Sequence, residues 1–355
     1  MADGPPPTQL RWSLADDPAG QGELFDRVVE RRPGTGQFRG MEFLHVHARS
    51  LVNRVPGASR MPFEWTVNVY RGCSHACTYC FARPTHAYLG LDTGEDFERR
   101  IVVKVNAVER LRAELDPRRW PGHHIAMGTN TDPYQRCEGL YRLTRGVVEE
   151  LTRVGNPFSL LTKGTLVLRD LDVLAEAARR GLVRVNLSIG TLDEAVWRET
   201  EPGTPHPARR VEAVARLNEA GVPCGVLVAP VLPGLSDRTD QLAAVVDACV
   251  AAGARSISTL LLHLRPGVRE PYLAWLGGAH PDLVERYQAL YPRSYAPKAD
   301  QRRLAERFGR LVERAGGRAA SPLRSRETAP AAPAAPAARS TPPAGPPPSQ
   351  LALGL

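Results

Sequence analysis

Between residues 61 and 290 the chain alternates short, strongly apolar runs with longer segments whose apolar positions recur at helical spacing. Six runs read as strands: Thr66 to Arg71, His124 to Gly128, Phe158 to Thr162, Val183 to Ile189, Cys224 to Ala229 and Ser256 to Leu262. The amphipathic segments between them run near Phe97 to Leu115, Leu143 to Val154, Arg169 to Arg180, Pro207 to Ala220 and Asp237 to Ala252. Strands this apolar must be covered on both faces, and strands joined through helices run parallel with right-handed crossovers. The pattern predicts an α/β fold, a partial (β/α)6 barrel of the TIM type. A doubly wound open sheet satisfies the same periodicity, because strand order is not written in it.

The two ends are composed differently. Residues 1–60 are mixed, with Pro5-Pro6-Pro7 and Pro33-Gly34-Thr35-Gly36 as breakers around a patterned stretch from Met41 to Val55, and read as a partly flexible N-terminal extension. Residues 291–318 read as a C-terminal helical segment. From residue 319 the chain turns rich in Pro and Ala, too poor in apolar area to offset its ordering entropy, and is expected to be disordered. No apolar run reaches the roughly 18 residues that a membrane span needs.

In a βα barrel the chemistry gathers in the loops that leave the C-terminal ends of the strands. The unusual polar and Pro/Gly clusters of the core fall at that end: Thr129 to Gln135 after the second strand, Lys163-Gly164-Thr165 after the third, and Gly190-Thr191 following Ser188 after the fourth. Pro230 to Gly234 follow the fifth and His263 to Gly267 the sixth. The first loop runs from Gly72 to about Glu95, well beyond the roughly two to six residues usual for such connections, and a loop that long is usually functional.

That loop holds Cys73, Cys77 and Cys80 in the run Tyr70-Arg71-Gly72-Cys73-Ser74-His75-Ala76-Cys77-Thr78-Tyr79-Cys80-Phe81. Three thiolates at this spacing suit three irons of a [4Fe-4S] cube and leave the fourth iron without a protein ligand. A structural zinc site is the alternative, and its fourth ligand would have to be His75 or a distant Cys137, Cys224 or Cys249. Those three cysteines are too dispersed for a second cluster, and His45, His47, His75, His86 and His263 show no metal spacing. Free thiols place the chain in the reducing cytoplasm rather than in a disulfide-forming compartment.

The net charge of +8 and pI near 9.4 point to a nucleic-acid partner. The balance is almost all arginine, however, with lysine only at Lys104, Lys163 and Lys298, as in a GC-rich genome. A lysine retained at the end of a strand therefore marks Lys163 as a compact point charge that an arginine fork would not replace.

The stretch from Met61 to Arg83, together with Thr131-Asp132-Pro133-Tyr134-Gln135 and Leu161-Thr162-Lys163, resembles the radical SAM superfamily, in particular its branch related to spore photoproduct lyase. The resemblance covers roughly Arg39 to Leu290. It implies a [4Fe-4S] cluster on Cys73, Cys77 and Cys80, and reductive cleavage of S-adenosylmethionine to a 5'-deoxyadenosyl radical that abstracts hydrogen from a substrate. It also implies a reductant such as flavodoxin or ferredoxin, and makes a nucleic acid or nucleotide the leading substrate. Tyr79 would pack near the adenine, and the turn carrying Thr129, Asn130, Thr131 and Asp132 would receive the methionyl amino group. Asp132 alternatively forms an Asp-Pro turn. Lys163 and Ser188 would donate to the methionyl carboxylate or ribose, Arg209 or Arg210 would pair with that carboxylate, and Pro230 would line the same cofactor site. The lyase has a hydrogen-donating cysteine near the end of its second strand, where Met127-Gly128 stand here. Cys137, about ten residues on, is the candidate substitute, with Tyr134 or Tyr141 behind it, and a small buried hydrophobe is its other reading. From a different class comes a non-catalytic nucleic-acid-binding or scaffold protein with a structural iron-sulfur or zinc centre.

Overall fold

The runs read as strands lie side by side in chain order in one sheet. The computed structural model describes residues 25–55 and 61–320. Its strands are β1 (Phe25–Pro33), β2 (Glu42–Ala48), β3 (Val52–Arg54), β4 (Trp65–Val67), β5 (Tyr70–Arg71), β6 (Arg100–Lys104), β7 (Ile125–Met127), β8 (Phe158–Thr162), β9 (Val183–Ser188), β10 (Cys224–Val231) and β11 (Ile257–Leu261). The main sheet has the order β11-β10-β9-β8-β7-β4-β3. From β4 to β11 neighbours are parallel, and β3 closes the edge antiparallel to β4. An order that never reverses has no switch point, so the winding is that of an open barrel and not of a doubly wound sheet.

The helices are α1 (Glu95–Arg99), α2 (Ala107–Glu114), α3 (Glu138–Tyr141), α4 (Leu143–Val154), α5 (Leu171–Arg179), α6 (Glu194–Thr200), α7 (Pro207–Glu219), α8 (Thr239–Ala251), α9 (Arg269–Ala279), α10 (Val284–Leu290) and α11 (Lys298–Arg314). Leu160, Leu187, Val228 and Ile257 of the sheet and Val147, Leu151, Leu174, Ala213 and Leu217 of the covering helices are fully buried in one core. Their apolar positions recur every third or fourth residue on the helices, which is the stripe the pattern required.

Three expectations are corrected. The helix read over Phe97 to Leu115 is α1, then β6, then α2. Ile101-Val102-Val103 is a β-branched and fully buried run, and it fills the gap between β2 and β5 in a second sheet of order β1-β2-β6-β5. The first strand, read as Thr66 to Arg71, breaks after Val67: β4 stays in the main sheet while Tyr70–Arg71 pairs antiparallel with β6. The chain thus changes sheets immediately before the cysteine loop. The helix read from Arg169 starts at Leu171, after a tighter turn over Thr165–Asp170.

The Met41 to Val55 stretch appears as β2 and β3. At the other end α11 packs on α8 and β11, and Arg318 and Ala320 hydrogen-bond to Ile257 through their backbones. Of the tract expected to be disordered from residue 319, Ala319 and Ala320 are ordered by their pairing with Ile257, and the remainder from residue 321 lies outside the described residues. No helix among the described residues is long and apolar enough to cross a membrane.

Candidate functional site

The cysteine loop is built by its main chain. Gly72 opens it at φ 79°, and a Cβ there would lie 2.9 Å from the Phe97 carbonyl oxygen. The Cys73 N–H donates to that same oxygen at 2.8 Å. Three clamps then hold the loop, two of them from distant segments. Gln135, fully buried, accepts from the Ser74 N–H at 2.9 Å and donates to the Gly72 carbonyl at 3.0 Å, and the Thr131 hydroxyl donates to that carbonyl at 2.6 Å. Arg83, buried and paired with Glu98, donates twice to the Cys77 carbonyl at 3.2 and 3.0 Å and also to the carbonyls of Thr93 and Gly94. The Gly203 N–H donates to the His75 carbonyl at 3.1 Å, so close that a Cβ on Gly203 would sit 2.1 Å from the Ser74 oxygen.

Cys73 and Cys77 are buried and Cys80 half-buried. Burial pushes all three thiols above their ordinary range, and for Cys73 the charge of Asp132 and of the two neighbouring sulfurs adds to it. Thiolates in such a place need a cationic centre. The hydroxyls of Ser74 and Thr78, also in this loop, are buried without a hydrogen-bond partner among the described residues. Among those residues no three His, Cys, Asp or Glu side chains converge on a point that would grip a single ion. Three thiols on one loop, with two buried hydroxyls left over to reach sulfur, suit a cube with an open iron, whereas a closed zinc site would need a fourth ligand.

Behind this loop four of the residues read from the sequence meet. Lys163, just past β8, donates from Nζ to Ser188 Oγ at 2.7 Å and to Glu201 Oε1 at 3.0 Å. Arg210, fully buried in α7, pairs with Glu201 Oε2 at 2.5 Å and donates to the Ser188 carbonyl at 3.1 Å and the Pro205 carbonyl at 2.9 Å. The Tyr79 hydroxyl donates to Glu201 Oε1, and Lys163 Nζ lies 5.7 Å from the Tyr79 ring centroid. Ser188 Oγ reaches on to the Ala229 carbonyl at 3.0 Å, next to Pro230 within β10. Arg209, by contrast, faces solvent beside Glu212. Of the two arginines, Arg210 is the one that joins this cluster.

At the centre of this cluster stands Glu201, which opens a Pro/Gly-rich loop and carries no signal of its own in the sequence. Burial draws its carboxyl upward, but Arg210, Lys163 and the Tyr79 hydroxyl outweigh that and hold it well below the usual carboxylate range. Two cations against one carboxylate leave a surplus positive charge among the strand ends. Such a surplus suits an anionic group on a ligand.

The turn after β7 is engaged with the protein itself. Gly128 has φ 87°, and a Cβ there would fall 2.0 Å from the Leu161 carbonyl oxygen. Asn68 bonds Thr129 through its side chain at 3.1 Å and accepts from the Asn130 N–H at 3.2 Å. Asp132 accepts from the Tyr134 N–H at 2.8 Å, the Thr162 hydroxyl at 2.6 Å and the Lys163 N–H at 2.7 Å, and pairs with His75 at 3.3 Å. It acts as the turn former and braces the cysteine loop against β8. What this segment can offer a ligand is its main chain and the Asn130 side chain. Gly128→Ala should therefore cost more than the roughly 1–2 kcal/mol of a left-handed residue, since the clash adds to it; thermal unfolding of the variant measures this, and an unchanged melting temperature would contradict the geometry.

Cys137 does not join the cluster. It is fully buried at the start of α3, in the main core beside Tyr70 and Tyr141, and burial pushes its thiol well up. Tyr134 is buried as well, and the Tyr141 hydroxyl is bonded to His45 Nε2 at 2.8 Å.

The Radical SAM superfamily model matches residues 67–246, from the end of β4 into α8 and half of the 355-residue chain. The chain belongs to the radical SAM superfamily. An uncharacterized protein of Mycobacterium tuberculosis is 46% identical over 277 residues, 78% of this radical SAM enzyme and 82% of its relative. A radical SAM Nalpha-GlyT isomerase of Pseudomonas phage M6 is 25% identical over 169 residues, 47% of this chain and 33% of that protein. Among solved structures, spore photoproduct lyase complexed with dinucleoside spore photoproduct superposes with a TM-score of 0.61 at 16% identity, covering 79% of this chain and 81% of the lyase. At that identity the likeness concerns the fold, and it agrees with the barrel described above.

Proposed function

We propose that this radical SAM enzyme carries a [4Fe-4S] cluster on Cys73, Cys77 and Cys80, binds S-adenosylmethionine against Tyr79, Lys163, Ser188 and Arg210, and acts on a nucleobase-containing substrate. The observation that carries the reading is Tyr79. It stands between two of the cysteines and its hydroxyl rests on Glu201, so the metal loop and the ends of β8, β9 and β10 form one site. When bound, the cluster and S-adenosylmethionine supply a 5'-deoxyadenosyl radical for hydrogen abstraction. The chain's own part is placement. The surplus charge of Lys163 and Arg210 holds a carboxylate, Tyr79 offers a ring face, and the clamps at Gln135, Arg83 and Gly203 fix the thiols before anything binds.

The substrate class is supported by the rim. Phe81, next to Cys80, is 43% exposed and lies 6.5 Å from the His263 ring; His263 in turn is 5.3 Å from Tyr295, itself 42% exposed. Arg265 donates to the Tyr295 hydroxyl at 3.0 Å. Three rings and a guanidinium at the end of β11 form a platform on which a base can stack. That the lyase above was solved with a dinucleoside agrees with this. Replacing Phe81 and Tyr295 by Ala should weaken binding of a labelled single-stranded oligonucleotide by about 1–3 kcal/mol per lost stack, read by fluorescence anisotropy at low salt. Equal affinity of wild type and double variant, or none in either, would move the substrate to another class.

A further inference from the structure

Past the end of β11 the chain pairs once more, outside either sheet. His263 and Tyr295 form an antiparallel bridge, and the Leu264 N–H donates to the Ser294 carbonyl at 2.8 Å. Side chains on such a pair alternate between two faces. Leu264 and Ala296 are buried in the small core that also holds Cys77 and Tyr79, which turns His263, Arg265, Arg293 and Tyr295 to the opposite, outer face. Continued by one alternation, the register that joins His263 to Tyr295 sets Arg265 opposite Arg293. Like charges in that position repel.

Both guanidiniums are exposed, and neither pairs with a carboxylate among the described residues. The Tyr295 hydroxyl, 3.0 Å from Arg265 Nη2, is a neutral acceptor, and the nearby Glu270 accepts instead from the Gly267 N–H at 3.0 Å. The fold holds two positive charges side by side and supplies no anion. Two residues along a strand span about 7 Å, so the cationic pair stands roughly that far from the stacked rings of His263 and Tyr295. Gly267 keeps the unit against the cysteine loop: at φ 77° a Cβ on it would lie 3.1 Å from Cγ of Pro84, four residues beyond Cys80. A base lying on the rings brings the phosphate across its sugar to the guanidiniums.

We propose that Arg265 and Arg293 clamp a phosphate of the substrate, so that the enzyme takes a phosphorylated nucleotide unit and passes over the free base or nucleoside. Two planar forks grip the oxygens of a phosphate in a fixed orientation that two ammonium groups would not impose. The inference rests on the base-stacking reading of the platform above.

The test measures binding to the iron-loaded protein by fluorescence anisotropy, with a labelled oligothymidylate and with the same strand made neutral by methylphosphonate linkages. Wild type should bind the charged strand about tenfold more tightly at low salt. Arg265→Gln with Arg293→Gln should lose most of that preference, and its slope of log affinity against log salt should be shallower by roughly 0.7, the share of one single-strand phosphate. Arg310→Gln with Arg314→Gln, an equal loss of charge on the exposed side of α11, should keep the preference. A wild type indifferent to the backbone charge overturns the clamp, and so does an Arg265/Arg293 variant with undiminished preference; in both cases the stacking platform stands. A wild type that binds neither strand removes platform and clamp together. Competition separates the sources of the phosphate. Displacement by thymidine monophosphate but not by thymidine assigns the clamp to a terminal phosphate, displacement by a second strand alone assigns it to an internal phosphodiester, and equal displacement by thymidine is fatal to it. Should the double variant fail to fold, Arg293→Gln alone must still narrow the preference, and its failure to do so overturns the clamp as well.

Discussion

Cys77→Ala is expected to yield a colourless protein after anaerobic iron-sulfur reconstitution, with no 5'-deoxyadenosine formed from S-adenosylmethionine and dithionite. The effect should be complete, because two thiols cannot hold a cube that already lacks a fourth protein ligand. It should also be local. Arg83 holds this stretch through the Cys77 carbonyl, and Gln135 and Gly203 hold the preceding residues through their backbone, so the loop keeps its course without the sulfur. Circular dichroism should match wild type. Cys224→Ala and Cys249→Ala, in the main core, should retain iron, whatever they cost in packing. Full cofactor cleavage by the Cys77→Ala protein would end the radical SAM reading of the loop.

Glu201→Gln should be the most damaging change away from the cysteines. It removes the carboxylate that separates Lys163 from Arg210 and leaves two largely buried cations without their shared partner. Breaking a buried pair in this way costs roughly 3–5 kcal/mol. The pH dependence follows from the sign of the shift. A carboxyl held below its ordinary value near 4.5 stabilises the fold fully above that value and loses its contribution as pH falls further toward the folded pKa. The difference in melting temperature between wild type and Glu201→Gln should thus be large at pH 7 and shrink on acidification below about 4.5. Affinity for S-adenosylmethionine should fall as well, since Tyr79, Lys163 and Arg210 lose their common anchor. Equal melting temperatures at neutral pH would show that Glu201 is not the hub.

Local signals account for what the sequence made legible. The strand Phe158–Thr162 and the helix Leu143–Val154 stand where periodicity puts them, because each is apolar or amphipathic in its own right. The cysteine spacing marks its loop without help from the fold. The smaller sheet was hidden because β6 is only five residues long, sits between two helical patterns, and owes its strand state to β2 and β5 from elsewhere. Glu201 was hidden for a similar reason. Its partners are 38 residues away at Lys163 and 122 away at Tyr79, and nothing in Glu201-Pro202-Gly203 announces either. Asp132 carries a signal that reads two ways, and the three donors around its oxygens, 2 to 31 residues away, are not announced by the sequence around it.

Two of the three clamps on the cysteine loop arrive late in the chain. Gln135 is 61 residues beyond Ser74, and Gly203 lies further still. On a ribosome that releases the chain from its N-terminus, the thiols emerge well before the segments that will enclose them. The nascent protein therefore passes through an interval in which the three thiols lie uncovered, and synthesis of the chain through Gly203 closes that interval.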